Sequence, residues 1–179
     1  MKITITGTLG SGKSTMSKML AEKLGVKRFS VGDFMGELAL EKGMSLLELS
    51  KLAEKDSDVD TILDNRQVAF GKTHSDFVLD SRLGWHFIPD SFKIWLKCDL
   101  NIAAVRIFND KRLDEKENTS LEKTKQNMIR RVQSERKRYG EYYGVDPYNE
   151  NQYDLVVDSS DIPPSRVLKK ILSELKKRE

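Results

Sequence analysis

The feature of this sequence that most restricts its fold is the segment GTLGSGKS at residues 7–14, which has the pattern GxxxxGKS. An apolar run at residues 3–5 precedes it, and a stretch with helical periodicity begins near Lys13. A glycine-rich turn between a strand and a helix aims backbone N–H groups at an anion beside the helix N-terminus. The sequence therefore predicts a phosphate-binding loop, and this context weakens the alternative that the pattern occurs by chance.

The residues of this loop suggest separate tasks in binding a nucleoside triphosphate together with Mg²⁺. We expect Lys13 to reach the terminal phosphates and the Ser14 hydroxyl to hold the metal ion that bridges them. The predicted co-substrate is ATP. The residues that we predict to bind it here are Gly7, Thr8, Leu9, Gly10, Ser11, Gly12, Lys13, Ser14 and Thr15.

Length and composition indicate one globular domain over residues 1–179. Charged residues make up 33% and apolar residues 38% of the chain, which argues against a disordered or fibrous protein. The net charge of +3 is too small to imply a polyanionic partner, and no apolar run reaches membrane-spanning length. We therefore expect a monomer without a membrane or nucleic-acid partner. Its single cysteine, Cys98, suits the reducing cytoplasm.

Apolar runs and helical patterns alternate along the chain, which predicts an α/β fold with a five-stranded, mostly parallel sheet covered on both faces. The predicted strands are residues 2–6, 27–30, 77–80, 92–97 and 153–157. The predicted helices are residues 13–24, 33–43, 45–55, 58–72, 101–110, 121–142 and 164–177. Ser45 with Glu48, and Thr119 with Glu122, have the spacing of capping boxes at helix starts.

Two segments are not explained by a simple alternation of strands and single helices. The helical pattern between the second and third strands is longer than one crossover helix needs, which predicts a helical insertion over residues 33–74. Residues 109–120 are rich in charged and amide side chains and nearly lack apolar ones. This composition predicts a mobile loop between two helices.

Asp80 ends the third predicted strand and Arg82 follows it, at the edge of the sheet where ligands bind in open α/β folds. A carboxylate there can accept from Mg²⁺-bound water, and a guanidinium can bind an anionic acceptor. The structural alternative is that the two side chains pair with each other or with helix ends. The nearby phosphate loop favours the functional interpretation.

Four more charged residues fall on predicted helices in positions that allow two interpretations. Arg66 lies on the apolar stripe of its helix, so it either binds an anion or extends along the stripe towards solvent. Arg131, Glu135 and Arg138 share one helix face directly after the predicted loop. They either converge on phosphates or form an ordinary ladder of surface ion pairs.

Together these segments resemble the nucleoside monophosphate kinases of the P-loop superfamily, and most of all the short, archaeal-type cytidylate kinases. The resemblance rests on the phosphate loop, SVGD at residues 30–33, LDSRL at residues 79–83 and SERKRY at residues 134–139. It covers nearly the whole chain. It implies a P-loop NTPase fold in which residues 33–74 bind the acceptor and residues 109–120 form a lid.

The resemblance also implies a reaction, the transfer of the γ-phosphoryl group of ATP to CMP or dCMP. Lys13, Arg131 and Arg138 are then the predicted catalytic residues, and Arg106 is expected at the ATP phosphates. Ser14 and Asp80 are the predicted Mg²⁺ residues. The residues that match acceptor-binding positions are Ser30, Asp33, Arg66, Gln67, Arg82 and Glu135.

The sequence departs from the family pattern at Gly36, where an arginine normally follows Asp33 by three residues and binds the acceptor phosphate. Either Arg82 and Arg66 suffice, or the acceptor sits differently, or the protein phosphorylates another small metabolite. A further alternative is an assembly factor that hydrolyses ATP slowly and binds RNA or ribosomal particles through its basic helices.

Overall fold

A computed structural model describes residues 1–110 and 117–178 of the chain. Five strands form one sheet in the order β2-β3-β1-β4-β5, and all of the paired neighbours run parallel. The predicted α/β class and the number of strands are confirmed, and the sheet is wholly parallel rather than mostly so. The strands are β1 (Lys2–Gly7), β2 (Lys27–Ser30), β3 (Phe77–Asp80), β4 (Phe92–Lys97) and β5 (Leu155–Asp158).

The helices follow the predicted order and differ from the predicted bounds by a few residues at their ends. A one-turn helix after β3 and a 3-10 helix at Glu150–Gln152 were not predicted, because so few residues show no periodicity. No helix in the described ranges combines the length and apolar character that crossing a membrane requires. The helices are α1 (Lys13–Leu24), α2 (Val31–Glu41), α3 (Leu46–Ala53), α4 (Asp58–Thr73), α5 (Gly84–Phe87), α6 (Leu100–Asp110), α7 (Leu121–Tyr143) and α8 (Pro164–Leu175).

The central strands are buried because helices cover both faces of the sheet. Ile3 and Ile5 of β1 and Val78 of β3 pack against apolar side chains of α1 and α8. Phe77 and Leu79 alternate with these residues and pack on the opposite face. Each such side chain contributes about 1.5–3 kcal/mol by leaving water. This core fixes the carboxyl ends of β1 and β3, where the candidate site lies.

Helices α2, α3 and α4 occupy the predicted insertion between β2 and β3 and have an apolar cluster of their own. The predicted capping box at the start of α3 is confirmed. Ser45 Oγ accepts a hydrogen bond from Glu48 N at 3.2 Å, and Glu48 Oε2 accepts one from Ser45 N at 2.7 Å. The role of residues 33–74 in binding an acceptor stays a prediction.

The second predicted capping box, Thr119 with Glu122, is wrong by one residue. Ser120 is the N-cap of α7, and its Oγ accepts a hydrogen bond from Lys123 N at 3.2 Å. Adjacent hydroxyl residues offer two possible caps, and the spacing alone selected the other one. Of the predicted lid at 109–120, residues 111–116 lie outside the described residues.

Candidate active site

The candidate site is a cleft of about 510 Å³ at the carboxyl ends of β1 and β3. The phosphate loop forms one wall, and residues that follow β2 and β3 form another. The cleft thus brings together side chains that are far apart in the sequence. Its lining consists of Leu9, Gly10, Gly12, Lys13, Ser14, Thr15, Ser30, Gly32, Asp33, Asp80, Arg82, Arg106, Ile107, Asn109, Asp110 and Arg131.

The shape of the phosphate loop depends on glycine at two positions in particular. A Cβ atom on Gly7 would lie 2.0 Å from the carbonyl oxygen of Leu96 in the neighbouring strand, so a side chain there is excluded. Gly12, the N-cap of α1, has a φ angle of 84°, in the left-handed region that glycine adopts without strain. The backbone can therefore turn directly into α1, whose N-terminus faces the cleft and favours an anion.

Three of the predicted loop residues do not line the cleft but stabilise the shape of the phosphate loop. Ser11 Oγ donates a hydrogen bond to Thr8 O at 2.8 Å, and Thr8 Oγ1 accepts one from Cys98 N at 3.0 Å. Gly7 provides the close approach to β4 described above. Gly7, Thr8 and Ser11 are therefore placed to support the loop, whereas the other predicted loop residues line the cleft.

The ammonium group of Lys13 is folded onto the loop, where it donates to Thr8 O at 2.9 Å and to Gly7 O at 3.2 Å. Burial, followed by repulsion from Arg82, lowers the pKa of Lys13 from 10.5 to about 7, although Asp80 and Glu135 act in the opposite direction. This crowding of positive groups means that a phosphate entering the cleft would relieve an unfavourable electrostatic arrangement.

Ser14 and Asp80, the predicted Mg²⁺ residues, face the same point in space. Arg28 Nη2 lies between them, 3.0 Å from Ser14 Oγ and 3.5 Å from Asp80 Oδ2. A serine hydroxyl and a carboxylate are hard oxygen ligands, and Mg²⁺ in kinases commonly takes one or two protein ligands with phosphates and water. The residues present therefore fit a magnesium ion, and the guanidinium nitrogen shows that their shared position favours a cation.

Strand register brings the end of β2 next to the end of β3. Ser30 is the register partner of Asp80, and its Oγ donates to Asp80 Oδ2 at 3.5 Å. The same Ser30 Oγ caps α2 by accepting from Asp33 N at 3.2 Å. Burial raises the pKa of Asp33, but the hydrogen bond and charge of Arg28 outweigh it, so the net shift is downward. Asp33 is thus an anionic group at the mouth of the cleft.

Arg82 is paired, but its partners are neither Asp80 nor a helix end, which the structural alternative had named. Its Nε lies 2.7 Å from Glu135 Oε2, and another of its nitrogens donates to Gly7 O. Tyr148 OH donates to the same Glu135 oxygen at 2.6 Å. Burial would raise the pKa of Glu135, yet Arg82 and Arg131 hold it below its usual value. Glu135 therefore acts as an anionic support that aims Arg82 along the cleft.

The structure separates the two arginines of the predicted α7 face. Arg131 lines the cleft, whereas Arg138 is 1% exposed and lies on the side of α7 that faces the insertion. Arg138 Nε is 3.6 Å from Asp60 Oδ2, and its Nη1 donates to Ser50 O at 3.4 Å. In this conformation Arg138 joins α7 to α3 and α4, and its predicted contact with reacting phosphates stays a prediction.

Arg66 and Gln67 are adjacent on α4 but differ in their surroundings. Arg66 is exposed, and its guanidinium carbon lies 3.7 Å from the centre of the Phe34 ring. Gln67 is buried, and its Oε1 accepts a hydrogen bond from Ser81 Oγ at 2.6 Å. Gln67 thus links the insertion to the residue that precedes Arg82. Neither side chain lines the cleft in this conformation.

Arg106 of α6 lines the cleft next to the phosphate loop, as predicted for a residue that attends the nucleotide. Its Nη2 donates to Ser159 O at 2.8 Å and to Ser160 O at 3.0 Å, so it connects α6 with the segment after β5. Its Nη1 lies 3.4 Å from Gly10 O. Because these acceptors are backbone carbonyls, a bound phosphate would compete with them for the guanidinium.

Arg28 and Tyr148 take part in the site but were not predicted as site residues. For Arg28 a signal existed, because side chains two residues apart in a strand face the same way, and Ser30 was already a predicted site residue. Tyr148 lies after α7 in a segment without regular structure. No local pattern indicates its bond to Glu135.

The fold and the site together define a P-loop kinase. A wholly parallel sheet places a glycine-rich phosphate loop between β1 and α1, and arginines from the segment after β3, from α6 and from α7 line the cleft beside it. Solved kinases have this fold. A shikimate kinase from Acinetobacter baumannii matches with a TM-score of 0.61 and 15% identity over 99% of this chain and 94% of its own. One from Bacteroides thetaiotaomicron has a TM-score of 0.67 and 14% identity, covering 98% of both chains.

The chain belongs to the cytidylate kinase-like family, whose model matches residues 2–161. A cytidylate kinase from Methanobrevibacter smithii is 34% identical and covers 98% of this chain and 99% of its own length. One from Natronomonas pharaonis is 39% identical, covering 93% of this chain and 85% of its own. The resemblance inferred from the sequence motifs is therefore confirmed.

Proposed function

We propose that the protein transfers the γ-phosphoryl group of ATP to CMP or dCMP, giving ADP and the corresponding diphosphate. The observation that carries this proposal is a single cleft in which the phosphate loop with Lys13 faces Arg82, Ser30 and Asp33. Phosphoryl transfer needs two anionic substrates held in line and little covalent help from the protein. The curated relatives named cytidylate kinases support the choice of acceptor.

On the donor side, the loop amides and Lys13 bind the β- and γ-phosphates, and Arg106 contributes from α6. Ser14 and Asp80 would hold Mg²⁺, which neutralises charge on these phosphates when it is bound. An oxygen of the acceptor phosphate attacks the γ-phosphorus, and the bond from that phosphorus to the β–γ bridging oxygen breaks. Lys13 and Arg131 stabilise the charge that spreads over the transferred group.

On the acceptor side, Arg82 binds the acceptor phosphate, and Ser30 and Asp33 position the rest of the nucleotide. Gly36 is buried in α2, so the positive charge for this phosphate comes from β3 rather than from α2. Residues 33–74 form the acceptor side of the cleft, and Arg66, Gln67 and Arg138 come to it when the insertion and residues 109–120 close. Closure excludes water, which would otherwise compete as the acceptor.

The direct test is product analysis by ³¹P NMR after incubation of the protein with Mg²⁺, ATP and CMP. The proposal predicts signals of CDP and ADP in equal amounts, and none from a Lys13→Ala variant. ATP consumption that rises only with RNA or ribosomal particles would instead support the assembly-factor alternative. Transfer to a different small metabolite, with CMP inert, would retain the enzyme class and reject the acceptor.

We further propose that the protein acts as a cytoplasmic monomer on small nucleotides, without a nucleic-acid partner. The net charge of +3 is too small to imply a polyanionic partner. Light scattering during gel filtration checks the monomeric state, and the expected mass is 20.5 kDa. A mass of twice this value at the concentrations of the activity assay would reject the monomer.

A further inference from the structure

Arg28 on β2 lies beside the cleft, where it contacts two of the residues that line it, and it has a defined set of partners. Its Nε donates to Ser17 Oγ at 2.7 Å, and its Nη1 lies 2.8 Å from Asp33 Oδ2. Its Nη2 lies between Ser14 Oγ and Asp80 Oδ2, as described above. The side chain is 18% exposed. These contacts hold the guanidinium in one place.

Arg28 Nη2 contacts the same two oxygens, Ser14 Oγ and Asp80 Oδ2, that a magnesium ion and its bound water would use. Mg²⁺ requires its direct ligands at about 2.0–2.1 Å and usually keeps several waters, one of which would donate to Asp80. Arg28 Nη2 cannot keep both contacts when Ser14 Oγ binds the ion and Asp80 accepts from that water. The positive charges of the two groups also repel each other.

We propose that Arg28 is a positioning residue that competes with Mg²⁺ and its bound water for Ser14 and Asp80, and that it leaves these two residues when the metal-nucleotide binds. This inference rests on the proposed function of the loop as a nucleotide site. Asp33 is 49% exposed, so Arg28 can keep that ion pair while it withdraws towards solvent. Arg28 therefore competes with Mg²⁺ and its bound water for the same two oxygens.

The competition should change how tightly the protein binds ATP with metal relative to ATP without metal. Lys13 and Arg28 both offset the charge of Asp80. Loss of Arg28 removes the competitor and leaves Asp80 less compensated, so the metal complex binds more tightly. Metal-free ATP, in contrast, loses a nearby cation and binds less tightly. The ratio of the two dissociation constants is therefore the quantity that reports on Arg28.

The test is isothermal titration calorimetry of the full chain with ATP in excess EDTA and with Mg²⁺·ATP. We expect Arg28→Gln to raise the ratio of the metal-free to the Mg²⁺·ATP dissociation constant at least about tenfold over the unsubstituted protein. Arg166→Gln, which removes an exposed charge on α8, is the matched control and leaves the ratio unchanged. A ratio in Arg28→Gln within about twofold of the unsubstituted protein would overturn the inference.

Arg28→Lys supplies a second variant, chosen for the case that Arg28→Gln does not fold. One ammonium nitrogen cannot reach Ser17, Asp33 and the metal position together, so we expect a rise of at least about threefold in the same ratio. No rise in Arg28→Lys would count against the inference. Failure of the proposed function has a different signature, namely an unsubstituted protein that binds no nucleotide or forms no CDP.

Discussion

Arg82, two residues after the end of β3, and Glu135 of α7 form a buried ion pair with 2.7 Å between Nε and Oε2. The pair connects the edge of the central sheet with the helix that follows the predicted lid. Tyr148 donates to the same carboxylate from the segment after α7. Three parts of the chain are thus fixed around one guanidinium that points into the cleft.

Replacement of Glu135 by glutamine should leave Arg82 as a buried charge without its carboxylate. We expect a loss of about 3 kcal/mol in the free energy of unfolding. Removal of one charge of a buried ion pair leaves the other charge buried, so its desolvation is no longer compensated. The change is measured by urea unfolding. Glu141→Gln, at an exposed position of the same helix, is the control and should stay within about 0.5 kcal/mol.

Removal of the Lys13 ammonium should abolish catalysis without harming the fold. We expect Lys13→Ala to lower kcat at least about 100-fold, as for the loss of one preorganised cation at the transferred group. Because the pKa of Lys13 is lowered to about 7, its charged form is disfavoured in the folded protein, and the thermal midpoint should not fall. Unaltered kcat would contradict the account. Lys23→Ala, on the exposed face of α1, is the control for both measurements.

The pair of Asp60 and Arg138 predicts a pH dependence of stability. Burial raises the pKa of Asp60 to about 6, against the opposing charge of Arg138, and Asp64 and Glu135 add to the rise. An acid whose pKa is higher in the folded than in the unfolded state stabilises the fold when it is protonated. This contribution is complete at pH values below the unfolded-state pKa, near 3.8, and is lost as the pH rises through the folded-state pKa of about 6.

The variant Asp60→Asn isolates the contribution of Asp60 to the pH dependence of stability, because the other titratable groups are the same in both proteins. The unfolding free energy of the variant minus that of the unsubstituted protein should rise by about 1 kcal/mol between pH 5 and pH 7, and should level off above that. Urea unfolding at several pH values measures it. A difference that is constant over this range would show that Asp60 stays ionised throughout.

The phosphate loop and the sheet were predictable because both depend on local sequence. Glycine spacing and buried apolar strands leave few alternatives, and a phosphate cradle needs only one segment of chain. The spacing of Arg28 and Ser30 could have indicated that both side chains face the site, but the contact of Arg28 with Asp80 also depends on the register that sets Ser30 beside Asp80. Register is a property of two strands, and neither one carries it alone.

Arg131 and Arg138 show a second limit of sequence reasoning. Seven residues apart, they fall on the same side of α7, as predicted, but such residues are separated by about 10 Å along a helix axis. That distance carries Arg138 past the end of the cleft and onto the insertion, where Asp60 lies. Spacing identifies a helix face, but not where along the helix a site ends.

The most direct test of the account is steady-state kcat/KM for a panel of nucleoside monophosphates, measured as ADP release at saturating Mg²⁺·ATP. We predict the highest values for CMP and dCMP, at least about tenfold above AMP and GMP. The contradicting result is ADP release that no monophosphate raises above the level of the Lys13→Ala variant.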